Sequence, residues 1–304
     1  MPESHTMYWA THKKPIPLSE IGWINTTYLG STSPRCDPML VWGTTVDAEE
    51  LDSFLELHRK HSSSFLTAAH VLVRAVAESL RQHPEVNRRV IGRRVYQYEN
   101  VNIVVPMLQT STGEVDCVFM RNAEDYSLDE VSHFFWEEAR EKALNVAEEK
   151  RREKQSSTFK NRLVQLGRRL RLSWLLHTCR LGFAAGNHLR CPTIWPLQQG
   201  LNHAGAFVNY LGFSGAPPLI AYKPSSLPMN SYSIAVTMGP TEPQPVVIDG
   251  EIVIRKQASL FVRLDHRMLN GNQSAAFINT LRSYLTNPQT LVKSEDFCEQ
   301  KQAA

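Results

Sequence analysis

Leu51, Phe54, Leu55 and His58 recur at helical spacing behind Asp47 and Glu50, a pair whose separation matches a capping box. The pattern predicts a first helix ending near His61. Leu66, Ala69, Leu72, Val73, Val76 and Leu80 trace a second apolar stripe from about Ser64, and His83-Pro84 ends it. The stretch from Tyr96 to Met120 is rich in β-branched and aromatic residues around Ser111-Thr112-Gly113, so it reads as strands. Ser127 and Glu130 form another capping box and open a long, increasingly charged helix reaching roughly Lys154. From Gly205 to Leu264 strand signals return: "GAFVNYLGF", "SYSIAVTMG", a "DGE" turn between "PVVI" and "IVIRK", then "SLFVRL". After Asn270-Gly271 a last helix carries Ala275, Phe277, Ile278, Leu281 and Leu285 up to Pro288. Helices and strands alternate without a regular period or internal repeat, which predicts an α/β protein with a mixed β-sheet flanked by helices.

Apolar residues make up 42% and charged residues 21% of the 304, the balance of a soluble globular protein. The opening residues lack the apolar core of a signal peptide and five cysteines are scattered, so the expectation is a cytoplasmic chain without a disulfide framework. The net charge of +3 conceals an asymmetry. Between Gln155 and Thr241 there is no carboxylate, and eight Lys and Arg from Lys160 to Lys223 give that stretch +8, leaving −5 for the remainder. Such a field suits an anionic partner, or it is a solvated basic face. Within it, Phe159, Leu163, Leu166, Leu170, Trp174 and Leu181 fit one apolar helix face bordered by Lys160, Arg168, Arg169, Arg171 and Arg180. That composition suits peripheral contact with an anionic membrane, although the commoner use of such a stripe is a face packed on the protein or capping a channel.

Near the C-terminal end stands "LFVRLDHRMLNG", in which an apolar strand leads to His266. A histidine fixed at a strand end is suited to take a proton from a thiol or hydroxyl, but a lone histidine beside Asp265 and Arg267 is usually structural. The whole phrase, with the hairpin before it and the helix after it, resembles the D-H-R-x-x-D/N-G motif of the dihydrolipoyl acyltransferase catalytic domains of 2-oxo acid dehydrogenase complexes, relatives of chloramphenicol acetyltransferase. The "KPIPLS" at Lys14, "FLTAAHVLVRAVAESLRQHPEVN", "NYLGFSG" and "PPLIAY" resemble further family phrases in family order, from about Lys14 to Pro288.

The resemblance implies a chloramphenicol acetyltransferase-like fold and one catalytic domain over residues 1–304, with about 155–204 a basic amphipathic insertion. As a departure from the family, the expectation is a stand-alone form without lipoyl or subunit-binding domains. The resemblance implies that His266 is the general base, that Asn270 holds the local turn and neighbouring loops, and that the protein is a homotrimer with sites between subunits. In the family a Ser or Thr hydroxyl from the adjacent subunit stabilises the tetrahedral oxyanion; the matching position here is Asn209, whose amide can also donate. Coenzyme A or acyl-CoA is then a substrate, with an unknown acyl acceptor and no tightly bound cofactor. The alternative is a non-catalytic trimeric scaffold or acyl-ligand binder that kept the fold, which the change at Asn209 favours. The helix expected after "IPLS" is replaced by "EIGWINTTYLG".

Other chemistries are weaker. His177, Cys179, His188 and Cys191 do not have a spacing typical of zinc, so no metal site is expected. The "GRR" runs at Gly92 and Gly167 come without an aromatic stacking motif, so no nucleic-acid partner is expected. Ser214 lies outside any G-x-S-x-G elbow.

Overall fold

The computed structural model describes residues 39–62, 64–91, 94–108, 115–155, 205–212, 234–265 and 269–292, together with Arg171, Trp174, His177 and Leu181. Strands β1 (Met39–Asp47), β4 (Ile103–Leu108), β5 (Val115–Met120), β6 (Ala206–Tyr210), β7 (Ile234–Ile248) and β8 (Glu251–Asp265) form one sheet in the order β1-β8-β7-β6-β4-β5. Strand β6 runs parallel to both neighbours and the other pairs are antiparallel, so the sheet is mixed, as expected. Strands β2 (Arg88–Ile91) and β3 (Arg94–Gln97) make a separate hairpin.

Among the described residues four continuous α-helices accompany the sheet: α1 (Glu49–His61), α2 (Ala68–Gln82), α3 (Leu128–Gln155) and α4 (Gly271–Thr286). One sheet face supplies the core, because Leu260, Val262 and Leu264 of β8, Ile234, Val236 and Met238 of β7, and Ala206 and Val208 of β6 alternate inward and are buried. Helix α2 lies in the middle of the covering layer and is buried from Val71 through Leu80, which its run of small and branched apolar residues allows. Two charges are buried with it: Arg74 donates to Glu78 at 3.2 Å, and Arg81 Nε donates to the same carboxylate at 3.1 Å. Burial alone would raise Glu78; the hydrogen bond from Arg81 and the charges of both arginines outweigh it and hold the carboxyl below its ordinary value.

Helix α1 starts where the sequence predicts but without the capping box. Ala48 is its N-cap, Asp47 Oδ1 accepts from Glu49 N at 3.1 Å, and Asp47 Oδ2 accepts from Arg255 at 3.0 Å. The box of α3 does form: Glu130 Oε2 accepts from Ser127 N at 2.7 Å and Ser127 Oγ from Glu130 N at 3.3 Å. Helix α2 begins at Ala68 rather than near Ser64, with Thr67 as N-cap and His70 as its reciprocal partner. Asp249-Gly250 turns β7 into β8 with φ of 52° and 88°, the left-handed pair a two-residue hairpin needs.

The strands predicted as short pieces are two continuous 15-residue strands with an irregularity between Met238 and Thr241. From Thr241 to Lys256 they leave the sheet as a two-stranded ribbon. Pro243, Pro245, Val247, Ile252 and Ile254 share one ribbon face by register, and Val247, Ile252 and Ile254 are 70%, 77% and 76% exposed. Its root is tied down by Arg255 on Asp47 and by Lys256 on Asp52 at 2.7 Å.

Candidate active site

His266 lies outside the described residues, and its position is framed from both sides. Strand β8 is paired on both edges up to its end, Leu264 with Ile234 and Asp265 with Met39, and Leu264 is buried. Three residues on, Leu269 is buried and Asn270 caps α4. Asn270 Oδ1 accepts from Gln273 N at 2.9 Å, Gln273 Oε1 accepts from Asn270 N at 3.1 Å, and Ser274 Oγ donates to the Asn270 carbonyl at 2.9 Å. Gly271, the first residue of the helix, meets nothing within 4 Å of where a Cβ would stand. An Asn suits this place because its short amide closes the reciprocal box.

Asn209 sits on β6 opposite Thr237 of β7, and Thr237 in turn faces Phe261 of β8. Since Ala206 and Val208 point into the helix-covered core, Asn209 and Phe207 point to the other face, where Asn209 is half-buried. Phe261 and Arg263 share that face, with the Phe261 ring lying across Gly43 of β1. From Asn209 to the end of β8 the path is two strand spacings across and four residues along. At roughly 4.8 Å per strand and 3.4 Å per residue, the Cα atoms of Asn209 and Asp265 are about 17 Å apart. Asn209 and the strand end that precedes His266 are therefore not brought together within one chain.

Asn87 stitches the base of this region. Its Nδ2 donates to the Asn100 carbonyl at 3.1 Å, its own carbonyl accepts from Tyr98 N at 3.1 Å, and a Cβ at Gly205 would collide with its side chain. The "HPEVN" phrase thus fixes where β6 begins. Tyr210 points into the layer beneath, where burial and the negative Asp52 both push its phenol above the ordinary value. Its ring covers Gly212, which leaves no room for a Cβ there.

A second polar cluster joins α1 to the start of α3. The Ser64 hydroxyl donates to Asp129 Oδ1, and His58 Nε2 lies 2.7 Å from Ser64 Oγ and 3.2 Å from Asp129 Oδ1. Burial lowers the His58 pKa against the opposing pull of Asp129. A relay needs the carboxylate on the imidazole nitrogen remote from the hydroxyl. Here both sit on the same nitrogen and the hydroxyl's proton is committed to the carboxylate, so the cluster ties helix ends together. Neither this cluster nor Thr237 was legible in the sequence, since their members are distant and carry no spacing signal.

Of the basic insertion, the four described residues are helical and exposed, with Trp174 at 68% and Leu181 at 70%. The residues expected to line the rest of its apolar face, the His/Cys group beyond His177, and the "KPIPLS" and Ser214 phrases lie outside the described residues.

Comparison with known proteins gives this arrangement its context. The model of the family described as 2-oxoacid dehydrogenases acyltransferase (catalytic domain) matches residues 32–153 and 227–293, blocks that contain His266 and Asn270 and flank the stretch holding the insertion and Asn209. A lipoamide acyltransferase component of the branched-chain alpha-keto acid dehydrogenase complex from Pseudomonas putida is 46% identical over 48 residues, 16% of this chain and 11% of that protein. The cubic core of a pyruvate dehydrogenase multienzyme complex has a similar fold, with a TM-score of 0.59 at 17% identity over 96% of this chain and 99% of the other. So has dihydrolipoamide acetyltransferase from Azotobacter vinelandii, with a TM-score of 0.58 at 17% identity over 96% and 99%. The description of that structure concerns the roles of a serine, a histidine and an asparagine four residues after the histidine in its catalytic mechanism.

Proposed function

Because the chain belongs to the family of 2-oxoacid dehydrogenase acyltransferase catalytic domains, we propose that it transfers an acyl group between coenzyme A and a thiol or hydroxyl acceptor. His266 takes the acceptor's proton, and the resulting anion attacks the thioester carbonyl. The Asn209 amide donates to the oxyanion of the tetrahedral adduct; collapse breaks the bond to the coenzyme A sulfur, which leaves with the proton from His266. Asn270 holds the turn between β8 and α4 through its capping box.

The observation that carries this reading is the junction at position 266: a strand anchored on both edges, then a capped helix, with the His-to-Asn interval of four that the Azotobacter protein also has. The separation of about 17 Å between Asn209 and the end of β8 supports a site assembled from two copies, since donors to one reacting atom must lie about 3 Å from it. The exposed apolar face of the ribbon supports association into a homotrimer. Its prolines remove N–H groups from the ribbon edge of β7, which has no partner other than β8 among the described strands there, and this favours burial of the face over strand addition.

Purified protein incubated with a panel of acyl-CoAs and small thiols tests the reading by release of free coenzyme A. His266→Ala abolishes release with the melting temperature preserved, and wild-type activity falls as pH drops through the slightly acidic range. Refolded mixtures of His266→Ala and Asn209→Ala chains regain activity that neither shows alone. Transfer undiminished in His266→Ala removes the reading; binding of acyl-CoA without turnover by any acceptor leaves an acyl-ligand binder that kept the fold.

A further inference from the structure

Asn209 and Thr237 are register partners on β6 and β7, with Cα atoms about 4.8 Å apart by strand spacing, and both point away from the helix-covered core. Both are half-buried. Among the described residues neither the Asn209 amide nor the Thr237 hydroxyl makes a hydrogen bond, and the positions flanking the pair are Phe207, Ala235 and Phe261. Arg263, opposite Ala235, is a charged residue on that face, and among the described residues the two donors add no hydrogen bond to the fold. A threonine fits a strand through its branched carbon alone, and valine fits as well. An acyl oxygen seated over the pair would receive a hydrogen bond from each.

We propose that Thr237 Oγ and Asn209 Nδ2 form a two-donor hole for the oxyanion, making Thr237 a catalytic residue of the same half-site as Asn209. The inference rests on the acyl-transfer reading. As the attacking sulfur or oxygen bonds to the carbonyl carbon, the carbonyl π pair moves to the oxygen, which both donors then hold. When the pair returns, the bond to the leaving thiol breaks and both contacts weaken. A hydroxyl and an amide that tighten on that oxygen only in the adduct raise turnover with little effect on substrate binding.

The test is Thr237→Val, a near-isostere without the hydroxyl, alongside Thr237→Ser. The expected result is a fall in kcat of about 10- to 100-fold with the KM for acyl-CoA within about twofold, and recovery in Thr237→Ser. Combining Thr237→Val with Asn209→Ala costs less than the product of the single effects, because one hole is lost only once. Mixed trimers of Thr237→Val and His266→Ala chains regain activity, whereas mixtures of Thr237→Val and Asn209→Ala gain none beyond their separate levels. A Thr237→Val chain with wild-type kcat, in a preparation that His266→Ala inactivates, overturns the inference and leaves the acyl-transfer reading standing. Loss of kcat not complemented by His266→Ala chains also overturns it, since Thr237 would then act outside the Asn209 half-site. A wild type without transfer, or one unaffected by His266→Ala, overturns both.

Discussion

His70 is the clearest place to perturb the fold through pH. Its Nδ1 accepts from Thr67 N at 3.1 Å at the start of α2, and its ring stacks on Phe135 of α3 with centroids 5.5 Å apart. Protonation would remove the acceptor and place a charge between the helices, so burial lowers its pKa from 6.5 to about 4. The imidazole is neutral in the folded chain and titrates at its ordinary value in the unfolded one. The stability this contributes is complete above pH 6.5 and is lost as pH falls toward 4. At about 1.4 kcal/mol per pH unit, the loss reaches about 3 kcal/mol at the lower end and about 1.4 kcal/mol between pH 7.5 and 5.5. His70→Gln keeps a side-chain acceptor at the same helical position and does not titrate. Urea unfolding at pH 7.5 and 5.5, at one protein concentration, should show the wild type losing about 1.4 kcal/mol more than the variant. Equal losses in the two proteins would refute the assignment of a buried neutral imidazole, because every other titrating group is common to both.

Asn270→Ala should cost about 1 kcal/mol in urea unfolding by removing the α4 cap, while Asn270→Asp keeps an acceptor and stays near wild-type stability; equal loss in both would deny the cap its role. Val247→Glu with Ile252→Lys on the exposed ribbon face should shift sedimentation from trimer toward monomer at micromolar concentration without changing the circular dichroism. Unaltered sedimentation would exclude that face from the interface. The basic segment is expected to float with vesicles containing phosphatidylglycerol at low salt and to release at high salt. Arg171→Glu with Trp174→Ala should abolish flotation, and failure of the wild type to float would leave the segment without a membrane role.

Local signals carried into the structure where local chemistry decides the outcome. The Asp249-Gly250 turn was legible because few pairs accept two left-handed residues, and the Ser127/Glu130 box because its partners are three residues apart. The box expected of Asp47 and Glu50 failed for a reason no local window contains: Asp47 is held by Arg255. Gly239-Pro240 looked like a strand end, yet pairing resumes on its far side at Thr241, so the ribbon was hidden. The histidine phrase pointed to one end of β8. The Asn209–Thr237 pairing could not be read, since it depends on how two strands more than twenty residues apart choose their register.

The sheet also dictates an order of events during synthesis. Strand β1 pairs along its whole length with β8, from Met39 against Asp265 to Asp47 against Gln257, and with no other described strand. A ribosome making this chain at about 5–20 residues per second exposes β1 for roughly 10 to 45 seconds before β8, its partner among the described strands, emerges. Throughout that interval β1 lacks β8, and α1 and α2 have little of the described sheet to cover. Closure of so distant a pair is slow as well, since the intervening chain must be confined before any contact rewards it. The protein is therefore expected to depend on chaperones that shield nascent strands, and damage confined to β8 should reach the cell as aggregation of the N-terminal third.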